Sequence, residues 1–201
     1  MDDIKSMDMH NDSWIERWTE DYFTVFEQEK RAIEESLSAY GLKAEIHHVG
    51  GTSVIGLSGK PIIDILVCHE KERALDDVVP ALTAIGYNNL GECGRPGRYF
   101  MSKGFEPGKT FYLHLCHADH RNARDQLLFK KILEENEMLR VRYSYIKYML
   151  ACLFPHDRGK YRMMKGLFIT GVLGGYRHAI NETGDTGKLR HNNMVEYRMD
   201  I

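Results

Sequence analysis

The chain is short of the features that would place it quickly. Its four cysteines, Cys68, Cys93, Cys116 and Cys152, are widely spaced and form no CxxC pair, which argues against a thiolate zinc site and leaves buried free thiols as the default. No apolar run approaches the length of a membrane span, and the acidic N-terminus does not resemble a signal peptide. Neither sign of charge dominates: 27 Lys and Arg stand against 29 Asp and Glu, which argues against bulk electrostatic binding to nucleic acid and leaves room only for a local basic patch. No internal repeat or linker divides the chain. These absences lead us to expect a cytoplasmic protein of one domain over 1–182 with a polar tail over 183–201, long enough at 201 residues to bury a real core.

What is present is concentrated between His47 and Val67. A short apolar strand, Lys43 to Val49, ends in Gly50-Gly51. A turn rich in Gly, Ser and Thr follows, and the chain enters a second apolar strand, Ile62 to Val67, that carries one carboxylate, Asp64. A glycine pair lets backbone N–H groups face a ligand without interference from Cβ. Thr52 and Ser53 add hydroxyls, and Thr52 also suits the cap of a short helix, whose N-terminus favours anions. Asp64 is the odd residue, because a charge inside an apolar strand is costly unless it is paired, metal-bound or at the strand's end. Lys60 stands either to hold a phosphate as a point charge or to pair with Asp64. His47 and His48 must face opposite ways on a strand, so at most one points at a site; His48 is the candidate, with bonding to the turn as its other role.

The rest of the chain reads as follows. Spacing of Trp14, Trp18, Tyr22, Val25, Phe26, Ile33 and Leu37 predicts a helix from Trp14 to about Tyr40, capped by Asp12 or Ser13 and stopped by Gly41. Glu70 to Ile85 reads as a surface helix interrupted by Pro80. Arg95 and Arg98 flank a Gly/Pro turn and suit a phosphate clamp, or else lie in a solvated loop. Lys103 to Lys109 reads as a hairpin tip. Thr110 to His117 is a strand with Tyr112, His114 and Cys116 on one face and Phe111, Leu113 and Leu115 on the other. Helices are predicted over Asn122 to Glu137, Leu139 to Phe154 and Arg158 to about Ile180, the last with Tyr161, Met164, Leu167, Phe168, Val172 and Tyr176 as its buried stripe. The layout is α+β: a mixed sheet flanked by helices, with a C-terminal helical part.

The stretch from His48 to Ile65 resembles the hallmark of the GrpB family, H-[IV]-G-S-T-[SA]-V-P-G-L-x-x-K-P-x-I-D-I, with Gly51 for the usual Ser and Ile55 for the usual Pro. The wider likeness, over about residues 15 to 180, includes Phe129-Lys130, Tyr145, Lys147, Tyr161 and Lys165, and it offers Lys130, Lys147, Lys165 and Arg162 either to line the cleft above the sheet or, as charges on helices do by default, to form solvated faces. GrpB resembles the nucleotidyltransferases of the DNA polymerase β type, whose signature is a strand, a Gly-Gly or Gly-Ser turn, a spacer and an acid in the next strand. That resemblance implies a nucleotidyltransferase-like sheet with the site at the glycine turn.

It also implies a nucleotide-binding protein and a nucleotidyltransferase, moving a nucleotidyl group from a nucleoside triphosphate to an unidentified acceptor. Gly50, Gly51, Thr52 and Ser53 would hold the triphosphate, with Lys60, Arg95 or Arg98 neutralising it. Asp64 and His114 would be catalytic and would hold one divalent ion, Mg²⁺. Leu66 sits where polymerase-type enzymes carry a second acid, which weakens two-metal chemistry and opens the alternative of a catalytically impaired, regulatory phosphate-ligand module. GrpB-like segments joined to dephospho-CoA kinase tie that alternative to coenzyme A metabolism. A third reading is a transition-metal hydrolase using His48, His114 and His117 with Asp64.

Overall fold

A computed structural model describes residues 14–70, 74–104 and 110–183. Five strands form one mixed sheet: β1 (Ala44–Val49), β2 (Ile62–His69), β3 (Asn88–Asn89), β4 (Arg98–Lys103) and β5 (Thr110–His117), in the spatial order β1-β2-β5-β4-β3. Only β2 and β5 run parallel; every other pairing is antiparallel. Around the sheet lie α1 (Asp21–Ala39), α2 (Val79–Ala84), α3 (Arg121–Glu135), α4 (Glu137–Leu153) and α5 (Arg158–Thr183).

The period of two in β2 and β5 sends unlike side chains to the two faces. Ile63, Ile65 and Val67, with Phe111, Leu113 and Leu115, pack against Phe26, Ile33 and Leu37 of α1 and Ala81 and Leu82 of α2. Each such aliphatic side chain, fully withdrawn from water, contributes about 2 kcal/mol, so this face carries the fold. The opposite face is apolar only at one end, where Leu66, Cys68 and Cys116 meet Val49 and Ala123. At its other end it presents Asp64, Tyr112 and His114, all part-exposed. Over that end stand α4 and α5, which gather a second apolar cluster with the turn residues Val54 and Leu57 and a third around Ile15, Leu150 and Tyr161.

Three local readings need correction. The first helix begins at Asp21, not Trp14. Residues 14–20 run outside it and bridge the glycine turn, with Glu16 and Gly59 exchanging both backbone hydrogen bonds at 2.8 and 2.9 Å. The aromatic spacing that imitated a helix is spent on that bridge: Trp18 Nε1 donates to the Thr52 carbonyl at 3.0 Å, and Trp14 packs on Tyr161. The expected caps Asp12 and Ser13 lie outside the described residues. Where a helix over 70–85 is expected, the described residues form a 3₁₀ turn at Leu75–Asp77 followed by the six-residue α2, and 71–73 lie outside the described set. Pro80 sits in the first turn of α2, where its missing N–H costs nothing. On α5, Met164 and Leu167 point outward, and Leu173 takes a buried place instead. The expected hairpin tip and tail lie largely among residues 105–109 and 184–201, outside the described set.

The three C-terminal helices follow their expected bounds closely. His120 caps α3 by accepting from the Asn122 N–H, and Asn136 caps α4 by accepting from the Leu139 N–H. Among the described residues no helix is long and apolar enough to cross a membrane.

Candidate functional site

The site is built where β1 turns into β2. Gly50 has φ 74° and ψ −166°, a conformation almost confined to glycine. In register, Asp64 lies opposite Val49, the residue before that turn, and its carboxylate folds back against Gly50. A Cβ on Gly50 would stand 2.2 Å from Asp64 Oδ2. The glycine is therefore required twice, by its backbone angle and by the acid beside it.

His114 reaches the same spot from β5. Its Nε2 lies 3.9 Å from Asp64 Oδ1, with both side chains part-exposed. The other ring nitrogen fixes which proton it carries. Arg98 Nη1 lies 3.1 Å from His114 Nδ1. A guanidinium only donates, so Nδ1 accepts and the ring hydrogen sits on Nε2, turned toward Asp64. Arg98 itself is buried, and its Nη2 donates to the Glu92 carbonyl at 3.1 Å. Burial and the nearby Arg95 hold its pKa below the usual arginine range. Arg98 thus orients His114 rather than facing solvent as half of a phosphate clamp; Arg95 is exposed at the rim.

Other expected site residues serve the scaffold. The Thr52 hydroxyl donates to the Ile62 carbonyl and accepts from His48 Nε2, both at 3.0 Å. The Ser53 hydroxyl donates to the Gly50 carbonyl at 2.8 Å. Both hydroxyl hydrogens are committed inward. His48 lies on the opposite face of the sheet from Asp64, buried and stacked on Phe26 at 4.5 Å. Burial, with Lys130 nearby, pushes its pKa down to about 3. His117 is three residues beyond His114 on β5, hence on the other face, and its Nδ1 lies 3.1 Å from the Glu70 carbonyl. The His48–His114–His117 metal centre is therefore not assembled.

Three lysines supply what the motif alone did not show. Lys60 does not pair with Asp64. Its Nζ lies over the Trp14 ring at 4.0 Å and the Tyr161 ring at 5.0 Å. Burial and then repulsion from Lys165, Arg158 and Arg162 push its pKa down to about 8, with Asp64 opposing the shift. Lys165 of α5 is half-buried, 5.9 Å from the Tyr161 ring, and is likewise lowered by burial, with Asp64 opposing and Arg95 and Arg162 adding to it. Lys147 of α4 is buried, donates to the Ser58 carbonyl and is pushed down to about 7 by burial and Lys165. Its Nζ lies against the turn backbone: a Cβ on Gly59 would stand a tight 3.2 Å from it, and one on Gly51 an ordinary 3.5 Å. Among the described residues the lysine ion pairs fall elsewhere, at Lys30, Lys103, Lys130, Lys131 and Lys160. Buried or half-buried cations without a counter-ion are costly, and an anionic ligand is the group that would relieve them.

The donor set is a poor match for a resident metal. Asp64 is one carboxylate, the Leu66 side chain two residues on is fully buried, and His114 Nε2 presents a hydrogen. Among the described residues no group of three or more His, Cys, Asp or Glu stands in a metal-holding arrangement.

Comparison with known proteins places this geometry. The family model described as GrpB protein matches residues 14–174. The chain belongs to the GrpB family. It is 33% identical over 169 residues to the UPF0157 protein PA4798 of Pseudomonas aeruginosa, covering 79% of this chain and 67% of that protein. It is 28% identical over 188 residues to dephospho-CoA kinase of Mycobacterium leprae, covering 80% of this chain and 45% of the kinase. Relatives can be much longer: the chain spans 41% of the UPF0157 protein YqkA of Bacillus subtilis. Among solved structures, conserved protein GrpB from Enterococcus faecalis superposes with a TM-score of 0.70 at 29% identity, covering 85% of this chain and 99% of that one. The GrpB match runs from Trp14, in the segment that bridges the turn, into α5, so it takes in every lysine of the site.

Proposed function

We propose that this GrpB protein binds a nucleoside triphosphate, or another nucleotide-like ligand with a chain of phosphates, at the Asp64 end of the sheet beside Lys60 and Lys165. The observation that carries the reading is the set of three lysines, Lys60, Lys147 and Lys165, gathered around one turn with no ion pair to a carboxylate among the described residues. Lys60 and Lys165 flank Tyr161, with the exposed Arg95 and Arg162 beyond them. Phosphoryl recognition is mostly positioning and charge neutralisation, and this inventory supplies both.

Two uses of the bound ligand follow from different features. In nucleotidyl transfer, an acceptor oxygen would attack the α-phosphorus, the bond to the bridging oxygen would break, pyrophosphate would leave, and Asp64 would take the acceptor's proton. The part-exposed position of Asp64 beside Gly50 favours this use. In a binding or regulatory module the same site would hold ligand without turnover, and the buried Leu66 in place of a second acid favours that use. Likeness to dephospho-CoA kinase adds dephospho-CoA and coenzyme A to the ligands worth testing.

The experiment is a calorimetric panel of the four ribonucleoside triphosphates, dephospho-CoA and coenzyme A, run beside a pyrophosphate-release assay with cell extract as acceptor source. Micromolar binding, about −8 kcal/mol, to at least one phosphate-rich member is expected. Binding with pyrophosphate release supports transfer, binding alone supports the module, and no binding across the panel overturns the reading.

A further inference from the structure

We propose that the phosphate ligand is held at Asp64 without a divalent cation, the Lys60 and Lys165 ammonium groups supplying the positive charge. The inference rests on the phosphate-binding reading and adds how the charge is met.

Three observations lead to it. First, the sheet offers a single acid, one donor of the six that an octahedral Mg²⁺ takes, so phosphate oxygens and waters would have to supply all the others. On the Asp64 face of β2 the next side chain is Leu66, fully buried with Val49, Cys68, Cys116 and Ala123, so that position has no room for a ligand atom. Second, the nearest nitrogen is turned the wrong way. A metal needs a lone pair, and His114 Nε2 presents a hydrogen because Nδ1 is held by the buried Arg98. Freeing Nε2 would mean breaking the Arg98 contact and leaving that guanidinium with fewer partners; its Nε is already buried without one. Third, the space a metal would share is already cationic. Lys60 and Lys165 sit on the same Tyr161 ring, each lies close enough to Asp64 to be favoured by its charge, and the lysine ion pairs among the described residues fall elsewhere. A dication placed on Asp64 would add to the repulsion these ammonium groups already exert on one another.

Phosphate oxygens between the two ammonium groups reverse each of these costs. They bring the missing counter-charge, and the His114 Nε2–H becomes a further donor at the edge of the site. Asp64 then stands beside the ligand as a like charge. Its neutralisation should tighten binding, whereas in a metal-bridged site it would abolish it.

The test uses the full chain, with ATP and inorganic tripolyphosphate as probes, titrated calorimetrically in excess EDTA and again in millimolar Mg²⁺. Wild type is expected to bind both probes in EDTA at least as tightly as in Mg²⁺, and Asp64→Asn to bind them about threefold to tenfold more tightly in EDTA, as removal of one nearby like charge predicts. Binding that appears only with Mg²⁺, or that is lost in Asp64→Asn while the variant keeps the wild-type melting temperature, overturns the metal-free site and leaves phosphate binding intact. Failure of both probes in both conditions overturns the phosphate-binding reading and this inference together. The EDTA arm needs no variant, so a misfolded Asp64→Asn does not blunt the test.

Discussion

Gly50→Ala is expected to cost about 3 kcal/mol or more of stability, combining strain in a glycine-only backbone region with overpacking. The added methyl would stand 2.2 Å from Asp64 Oδ2 and 2.8 Å from Asp64 Cβ and Cγ. None of these is the loose end of a long side chain, so either the β1–β2 turn opens or the carboxylate is expelled. For a chain of this size the loss corresponds to a fall in Tm of about 10 °C. Gly56 provides the control. It also has positive φ, 77°, but a Cβ there meets nothing within 4 Å. Gly56→Ala should therefore show backbone strain alone, about 1 kcal/mol. Urea unfolding of the two variants measures the difference; equal losses would mean that Asp64 does not rest on Gly50 as described.

Replacing Lys60 and Lys165 together by Met should weaken ATP binding by at least about 100-fold, since each charge-assisted contact to a phosphate is worth roughly 1.5–3 kcal/mol. Methionine keeps the apolar stem over Trp14 and Tyr161 and removes two cations from a desolvated, mutually repelling cluster. Stability should accordingly stay level or rise, which separates lost binding from lost folding. Lys131→Met is the matching control, because Lys131 is exposed and paired with Glu135; its ATP affinity should match wild type. A double variant that binds within threefold of wild type by calorimetry would remove these lysines from the site.

The strand faces that flank the glycine turn were legible in the sequence, but the roles inside the turn were not: Thr52 and Ser53 bond inward and Lys60 rests on aromatic rings. Period-two alternation in Thr110–His117 put His114 on one face with Tyr112, and the structure brings it to 3.9 Å from Asp64. Alternation could not say which of His47 and His48 faced the site. The answer depends on register with Leu66 and Ile65, and it turned His48 into the α1 layer. The run from Arg98 to Met101 reads as a strand and Arg98 does open β4 opposite Cys116, but its neighbouring Gly/Pro turn suggested a phosphate clamp, whereas the side chain is buried.

The lysines were harder for a different reason. Lys147 and Lys165 stand on helices some hundred residues along the chain, where a charge reads as a solvated face. Only packing shows that the first lies against the turn backbone at Gly59 and that Tyr161 is shared by the second. Trp14 and Trp18 misled through the opposite error: helical spacing is a weak guide when aromatic rings can be spent on a neighbouring loop instead.

The most direct measurement of whether a phosphate ligand seats among these lysines is their acylation at pH 8, mapped by mass spectrometry with and without saturating ATP. Lys60, half-buried and pushed down to about 8, is about half neutral amine at that pH. A phosphate beside it favours the ammonium form and raises that pKa, so the reactive fraction falls while the ligand also covers the amine. The account predicts that ATP slows labelling of Lys60 and Lys165 severalfold and leaves the exposed Lys131 unchanged. Equal labelling of Lys60 and Lys165 with and without ATP would contradict it.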